Sequence, residues 1–168
     1  FTDYSPNQDD NATQRIGRIE SIQVEDLLER PAININTNNV AAILSNQVVL
    51  VTGGAGSIGS EIVRQVATFN PKAIILLEIA ESPLHDLMME IKPLFPTIKF
   101  IHVIADVRNM DMIEPIFKEY QPEIVFHAAA YKHVPLMEDY PAQAVLANVL
   151  GTKNVADIAV KYGTKRFV

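Results

Sequence analysis

The stretch VVLVTGGAGSIGSEIVRQVATF, residues 48–69, decides the fold. Val48–Val51 is a short apolar run, strand-like in length and β-branching. A glycine-rich turn follows directly, Thr52-Gly53-Gly54-Ala55-Gly56-Ser57-Ile58-Gly59. Then Ile58, Ile62, Val63, Val66 and Phe69 recur on one helical face, with Glu61 and Arg64 on the other. The glycines at 53, 56 and 59 give G-x-x-G-x-x-G between a strand and a helix. In that context the first glycine permits a tight turn. The second lets a pyrophosphate meet bare backbone, and the third lets the helix pack close to the strand. The helix start then offers unpaired N–H groups to an anion. No Lys-Ser or Lys-Thr follows the turn, which argues against a mononucleotide P-loop.

The same rhythm continues downstream. Strand-like runs recur at Ala73–Leu77, Phe100–Ile104 and Ile124–Phe126, their starts 25, 27 and 24 residues apart. Helical patterns lie between them. Ser82-Pro83 reads as an N-cap and first helical residue, followed by Leu84, Leu87, Met88 and Ile91. Asp111-x-x-Glu114 reads as a capping box ahead of Ile116, Phe117 and Tyr120. A long helix is expected from Pro141 to Tyr162, ended by Gly163. Alternating strands and helices with apolar strands predict an α/β fold, a Rossmann-like doubly wound parallel sheet. Arg166-Phe167-Val168 opens a fifth strand, at which the sequence stops. Over residues 47–168 the domain is therefore expected to be incomplete. Upstream, residues 1–15 read as a flexible lead-in and 16–46 as a helical packing segment. Its helices are placed on Val24, Leu27 and Leu28 with Pro31 as a stop, and on Val40, Ile43 and Leu44 with Asn39 as the cap.

Composition narrows the classes. The chain has 168 residues with 14 Lys+Arg, 20 Asp+Glu and a net charge of −6. Residues 1–30 carry seven acids and three bases, so most of the net charge sits in these first thirty residues. Without a basic patch, nucleic-acid binding is not the expected task. The absence of Cys excludes disulfides, thiolate metal sites and Cys nucleophiles. No apolar run approaches the ~20 residues of a membrane helix. A first residue of Phe and not Met is read as the mark of a piece of something longer.

Glu78 ends the second strand, 19 residues after Gly59. A carboxylate there can accept hydrogen bonds from an adenosine ribose and would repel a 2′-phosphate. Glu81 follows three residues later, and no Arg or Lys lies between Glu78 and Lys92. This favours NAD over NADP, with Arg108 as the group that would rescue a phosphate. Asp106-Val107 ends the third strand, where Asp106 either meets the adenine edge or caps the next helix. His127, at a strand end, reads as a satisfied core residue, and His133 as the better site candidate. The histidines at 85, 102, 127 and 133 lack metal-ligand spacing, so no metal is expected.

Four motifs together carry a resemblance: Thr52-Gly-x-x-Gly-x-x-Gly59, Asp106-Val-Arg108, His127-Ala-Ala-Ala-Tyr-Lys-His-Val-Pro135 and Asn148-Val-Leu-Gly-Thr152. The chain resembles the extended short-chain dehydrogenase/reductase superfamily from about Ile22 to Val168. Within it, the chain is similar to the bacterial polysaccharide-biosynthesis branch of UDP-N-acetylglucosamine-type nucleotide-sugar 4,6-dehydratases. One departure is local: the family's Gly-Ala-Gly-Gly becomes Gly53-Gly54-Ala55-Gly56 here.

The resemblance implies roles. Gly53, Gly56, Ser57 and Ile58 would hold the pyrophosphate of NAD or NADP, Glu78 the ribose, Asp106 and Val107 the adenine. Ala128, Ala129 and Ala130 would line the cofactor, and Tyr131, Lys132 and His133 would lie near the UDP-sugar. Asn148 would be a structural polar residue. The catalytic Thr-Asp-Lys and its partners would follow Val168. The implied chemistry takes hydride from C4, a proton from C5 and water from C6, then returns hydride to C6. It also implies a homo-oligomer in the cytoplasm, with possible membrane anchoring at the cytoplasmic face of the inner membrane by helices preceding Phe1. A 4-epimerase or reductase of the same superfamily, or a non-catalytic dinucleotide-binding module, are the alternatives.

Overall fold

The computed structural model describes residues 37–168. The lead-in expected over 1–15 and the helix expected around Val24, Leu27 and Leu28 lie outside the described residues. Helix α1 spans Thr37–Leu44 and buries Leu44. It begins before Asn39, so Asn39 sits in its first turn and is not the cap expected from sequence. There follow β1 (Val48–Thr52), α2 (Ser57–Ala67), β2 (Ala73–Glu78), α3 (Glu81–Leu94), β3 (Lys99–Ile104), α4 (Met110–Tyr120) and β4 (Ile124–His127). Two short helices, α5 (Val134–Asp139) and α6 (Pro141–Ala144), lead into a π-helical turn at Val145–Gly151. Helix α7 (Thr152–Lys161) and strand β5 (Arg166–Phe167) complete the series.

All five strands are parallel, in the order β3-β2-β1-β4-β5. This is the Rossmann-like doubly wound sheet that the sequence predicts. Chain order reverses between β1 and β4, which opens a crevice beyond the carboxyl ends of those strands. The two faces of the sheet are filled separately. Val49 and Val51 of β1 join Ile74 and Leu76 of β2 in a core with Val63, Leu84 and Ile91 of α2 and α3. Leu50, Ile75 and Leu77 point the other way, into a core with Ile113, Phe117, Val155 and Ile158 of α4 and α7. A central parallel strand must be apolar at every position because both faces are covered. That is why Val48–Val51 shows no alternation.

Helix starts are where local sequence signals mislead. Helix α3 begins at Glu81, with Ala80 as an N-cap that has no side chain to bond. Ser82 is already inside, its hydroxyl donating to Glu81 Oε2 at 3.1 Å. Helix α4 is capped by Asn109, whose Oδ1 accepts from Asp111 N at 3.0 Å. Glu114 does not close a capping box. It reaches α7, where it pairs with the Lys161 ammonium and accepts from Tyr162 Oη at 2.9 Å. Tertiary partners thus outcompete the local bond that the spacing suggests. The long helix expected over Pro141–Tyr162 is interrupted by the π turn. Its end is as expected: Gly163 takes φ 72°. There Thr164 N donates to Ala159 O at 2.9 Å and Gly163 N to Val160 O at 3.2 Å, the paired bonds of a Schellman motif.

Phe117 is fully buried between α4, α7 and the sheet, whereas Val160 on α7 is 82% exposed. Phe117→Ala is expected to cost about 3–5 kcal/mol of stability. Val160→Ala should stay within about 0.5 kcal/mol. Urea denaturation of both variants against the wild type measures the contrast.

Candidate functional site

The turn between β1 and α2 is shaped by steric exclusion. Gly53 has φ 62°, and a Cβ there would stand 2.8 Å from the backbone of Ala128 and Ala129. A Cβ on Gly59 would stand 2.0 Å from Gly53 O. Both positions therefore require glycine for the turn itself. Gly56 differs. Its φ of −70° suits any residue, and a Cβ there would meet only Gly53 O, at 3.3 Å. Packing thus constrains Gly56 far less than Gly53 or Gly59, through one tight backbone contact. Helix α2 starts at Ser57 with neither a side-chain cap nor an acidic residue in its first turn. Its leading N–H groups and positive dipole end remain for an anion.

A cleft of about 200 Å³, open to solvent, lies over this turn. Gly53, Gly56, Glu78, Asp106, Val107, Ala128, Ala129, Ala130 and Tyr131 all line it. Apolar side chains of Leu77, Ile79, Ala105 and Ala147 complete its walls. Glu78 is pinned by backbone. Its Oε1 accepts from Ile79 N at 2.8 Å and Ala80 N at 3.2 Å, and its Oε2 from Ala55 N at 3.3 Å. Oε1 is thereby filled, while Oε2 keeps one lone pair for a further donor. Glu81 does not stand beside it, contrary to the sequence reading. As the first residue of α3, Glu81 lines a groove at the sheet edge with His85, Met88 and His102.

Asp106 is not a helix cap. Its Oδ1 accepts from Arg108 N at 2.9 Å, and the guanidinium closes on both carboxylate oxygens, with Nη2 to Oδ2 at 2.6 Å. The Arg108 guanidinium holds the Asp106 carboxyl below its ordinary pKa. The remaining arm, Arg108 Nη1, donates to Gln143 Oε1 at 2.8 Å. Arg108 is therefore in the cleft wall, bonded through Nε, Nη1 and Nη2 to Asp106 and Gln143, with one N–H left on each Nη. Buried Asn154 anchors the same loop through bonds to Val107 O and Arg108 O, each 3.1 Å.

The floor, Ala128–Ala130, continues from β4. At the end of β4, His127 is flanked by Thr52 Oγ1, 2.7 Å from Nδ1, and Thr152 Oγ1, 2.9 Å from Nε2. Burial pushes its pKa down. This is the satisfied histidine that the sequence reading expects. Beyond the floor, Asn148 clamps Tyr131 by both backbone groups. Its Oδ1 accepts from Tyr131 N and its Nδ2 donates to Tyr131 O, each at 2.8 Å. Ser57, Ile58 and Lys132 lie in an adjoining recess, where Lys132 Nζ donates to Ser57 Oγ at 3.2 Å. His133 lines neither recess; it precedes α5 as the N-cap residue. Of the thirteen expected site residues the structure thus gathers twelve around two adjoining hollows. Thr52, Gln143 and Thr152 go unnoticed in sequence because only register and helix phase bring them here. The bare turn, the uncapped helix start and the apolar slot between Glu78 and Asp106 fit a dinucleotide.

The sequence profile of the family described as "Polysaccharide biosynthesis protein" matches residues 49–168. The chain is 45% identical over 93% of its length to the Probable polysaccharide biosynthesis protein EpsC of Bacillus subtilis, covering 26% of that protein. It is 42% identical over 97% of its length to the Capsular polysaccharide biosynthesis protein CapD of Staphylococcus aureus, covering 28%. The chain thus spans about a quarter of the length of these curated relatives. More distant matches include a UDP-glucose 4-epimerase of Rickettsia bellii, 36% identical over 66% of this chain and 32% of that protein. A dTDP-glucose 4,6-dehydratase of Haemophilus influenzae is 30% identical over 68% of this chain and 33% of that protein. Among solved structures, the UDP-glucose 4-epimerase of Thermus thermophilus in complex with NAD superposes with a TM-score of 0.59. It is 29% identical, covering 71% of this chain and 36% of that one.

The Asp106–Arg108 pair makes stability depend on pH. Because the folded carboxyl titrates below the unfolded one, its contribution is full above the ordinary Asp value of about 3.9. It is lost as pH falls through the lower folded value. Arg108→Gln should therefore lower the urea midpoint at neutral pH, and the gap to wild type should close in acid below that range.

Proposed function

The chain belongs to the polysaccharide biosynthesis protein family. From that premise we propose that residues 47–168 form the dinucleotide-binding part of a nucleotide-sugar 4,6-dehydratase acting on a UDP-N-acetylglucosamine-type substrate. One observation carries the reading: a single cleft gathers Gly53, Gly56, Glu78, Asp106, Val107 and the alanine floor at the point where the sheet order reverses. The nucleotide-sugar class is supported by the names of the epimerase and dehydratase relatives. The nicotinamide dinucleotide is supported by the NAD complex of similar fold.

In this reading Gly53, Gly56, Ser57 and Ile58 receive the pyrophosphate on backbone N–H groups and the α2 dipole. Glu78 accepts the ribose hydroxyls, and the slot between Ile79 and Val107, closed by Asp106, takes the adenine. When bound, the dinucleotide supplies a hydride acceptor and donor. Ala128–Ala130 keep the floor thin and dry, so a ring can lie flat against backbone. Tyr131 and Lys132 stand at the mouth, where Lys132 offers a cation to the negatively charged sugar nucleotide; His133, set back as the N-cap of α5, is outside both hollows. Among the described residues no helix is long and apolar enough to cross a membrane. We place the reaction on the cytoplasmic side, where its sugar-nucleotide substrates are made.

We further propose NAD over NADP. Glu78 faces the cleft with its carboxylate fixed by three backbone N–H groups. Arg108, the cation that would offset a 2′-phosphate, is committed to Asp106 and Gln143. Like charges then meet without compensation.

Calorimetry should show NAD(H) binding roughly tenfold or more tightly than NADP(H), a gap of at least ~1.4 kcal/mol. Glu78→Ala should narrow that gap, and tighter NADP(H) binding by the wild type would overturn the assignment. Gly56→Val should abolish dinucleotide binding with a normal thermal transition, because its side chain fills cleft space and not core. Gly59→Val should unfold or severely destabilise the chain. Incubation of the full-length protein with UDP-N-acetylglucosamine should yield a 4-keto-6-deoxy sugar, and a C4 epimer alone would favour the epimerase reading.

A further inference from the structure

Strands β1 and β4 pair in register so that Thr52 stands opposite His127. Neighbours at one register point to the same face of a parallel sheet, and this face looks onto α7. The bonds there have only one consistent direction. Thr152 Oγ1 donates its single proton to Asn148 O, a carbonyl that can only accept, at 2.7 Å. The same oxygen can therefore only accept from His127 Nε2, 2.9 Å away. With the proton on Nε2, neutral imidazole leaves Nδ1 bare. Thr52 Oγ1 then donates to Nδ1 across 2.7 Å. That leaves Thr52 Oγ1 to accept from Ala129 N at 3.4 Å. The relay runs from Ala129 N through Thr52, His127 and Thr152 to Asn148 O, each proton with one taker. Asn148 in turn grips Tyr131 N and O.

We propose that His127 is a positioning residue, held as the neutral Nε2–H tautomer at the centre of this one-way relay, which fixes Ala129 in the cleft floor and Tyr131 just beyond it. One branch ends on Ala129 N. The other ends on the carbonyl of Asn148, in the π turn whose side chain clamps Tyr131. The floor and the mouth of the cleft are thus set by one imidazole lying behind them. Thr52 is fully buried, and His127, which borders the recess beside Ser57, has both ring nitrogens engaged within the protein. A π turn in a helix is a common mark of a functional segment, and here it presents Asn148 to the loop. The importance of this floor for cofactor binding rests on the proposed dinucleotide reading; the relay itself does not.

Nitrogen NMR of the intact chain tests the tautomer, and amide hydrogen exchange tests the positioning. Near neutral pH the His127 spectrum should show Nε2 protonated and Nδ1 bare. A protonated Nδ1, in either the other tautomer or the cation, overturns the relay. His127→Phe keeps a ring but removes both bonds. It should speed exchange at Ala129 and Tyr131 by about tenfold, the loss of one hydrogen bond's contribution, with Leu50 and Ile75 unchanged. His127→Gln, which carries an acceptor and a donor at the same one-three spacing, should restore slow exchange. Thr152→Val, nearly isosteric, should loosen Tyr131 and leave Ala129 protected. Uniform acceleration across the sheet, or none at Tyr131, would reduce His127 to core packing and overturn the proposal. NAD titration of the same variants separates the two readings. If the wild type binds no NAD, the functional assignment fails while the tautomer and exchange results still decide the relay.

Discussion

The approach of helix α2 to its own preceding turn is the constraint on which the rest of the molecule depends. A single methyl on Gly59 would lie 2.0 Å from Gly53 O. That close approach brings the first turn of α2 against the ends of β1 and β4. It also aims the helix N-terminus over the crevice, where uncompensated N–H groups face the cleft. The contact beyond the end of β4 also leaves no room for a side chain, since a Cβ on Gly53 would sit 2.8 Å from Ala128 and Ala129. Turn and floor are thus one surface. Small residues on both sides are a requirement of geometry before they are a requirement of any ligand.

Around that surface the charges are arranged with little freedom. Glu78 is fixed by backbone donors on one side of the apolar slot. Asp106 is fixed by Arg108 on the other, which lowers its pKa and keeps it an anion. Arg108 in turn reaches Gln143 of α6. The neighbouring π turn and α7 hold Val107, Arg108 and Tyr131 through Asn154 and Asn148. The cleft is therefore preorganised from behind, by polar side chains of one helical segment that contacts both its ends.

Much of this was legible in the residues. Continuous apolar runs mark all four longer strands to within a residue; β1 and β2, covered on both faces, have nothing polar to alternate with, whereas the edge strand β3 is partly exposed and includes Lys99 and His102. The glycine turn was legible because steric exclusion leaves no other residue possible at Gly53 and Gly59. Helix starts were not. Asn109 and not Asp111 caps α4, Ser82 lies inside α3 bonded to its neighbour Glu81, and Glu114 is drawn away by Lys161 and Tyr162, far along the chain. The π turn was invisible because its apolar spacing resembles that of an α-helix. Glu81 shows the limit of counting positions: three residues past Glu78 the chain has turned into α3, and that carboxylate faces another groove. The pairing of Thr52 with His127 needed strand register, and Thr152 needed the phase of a helix that changes pitch.

Amide chemical-shift mapping of the chain during NAD titration tests the account most directly. The account predicts saturable shifts at Gly53, Gly56, Ser57, Ile58, Ile79, Val107 and Ala128–Ala130. The edge groove of Leu84, His85, Met88 and His102 should stay silent. Shifts confined to that edge groove, or none at Gly56 and Ser57 at saturating NAD, would contradict it.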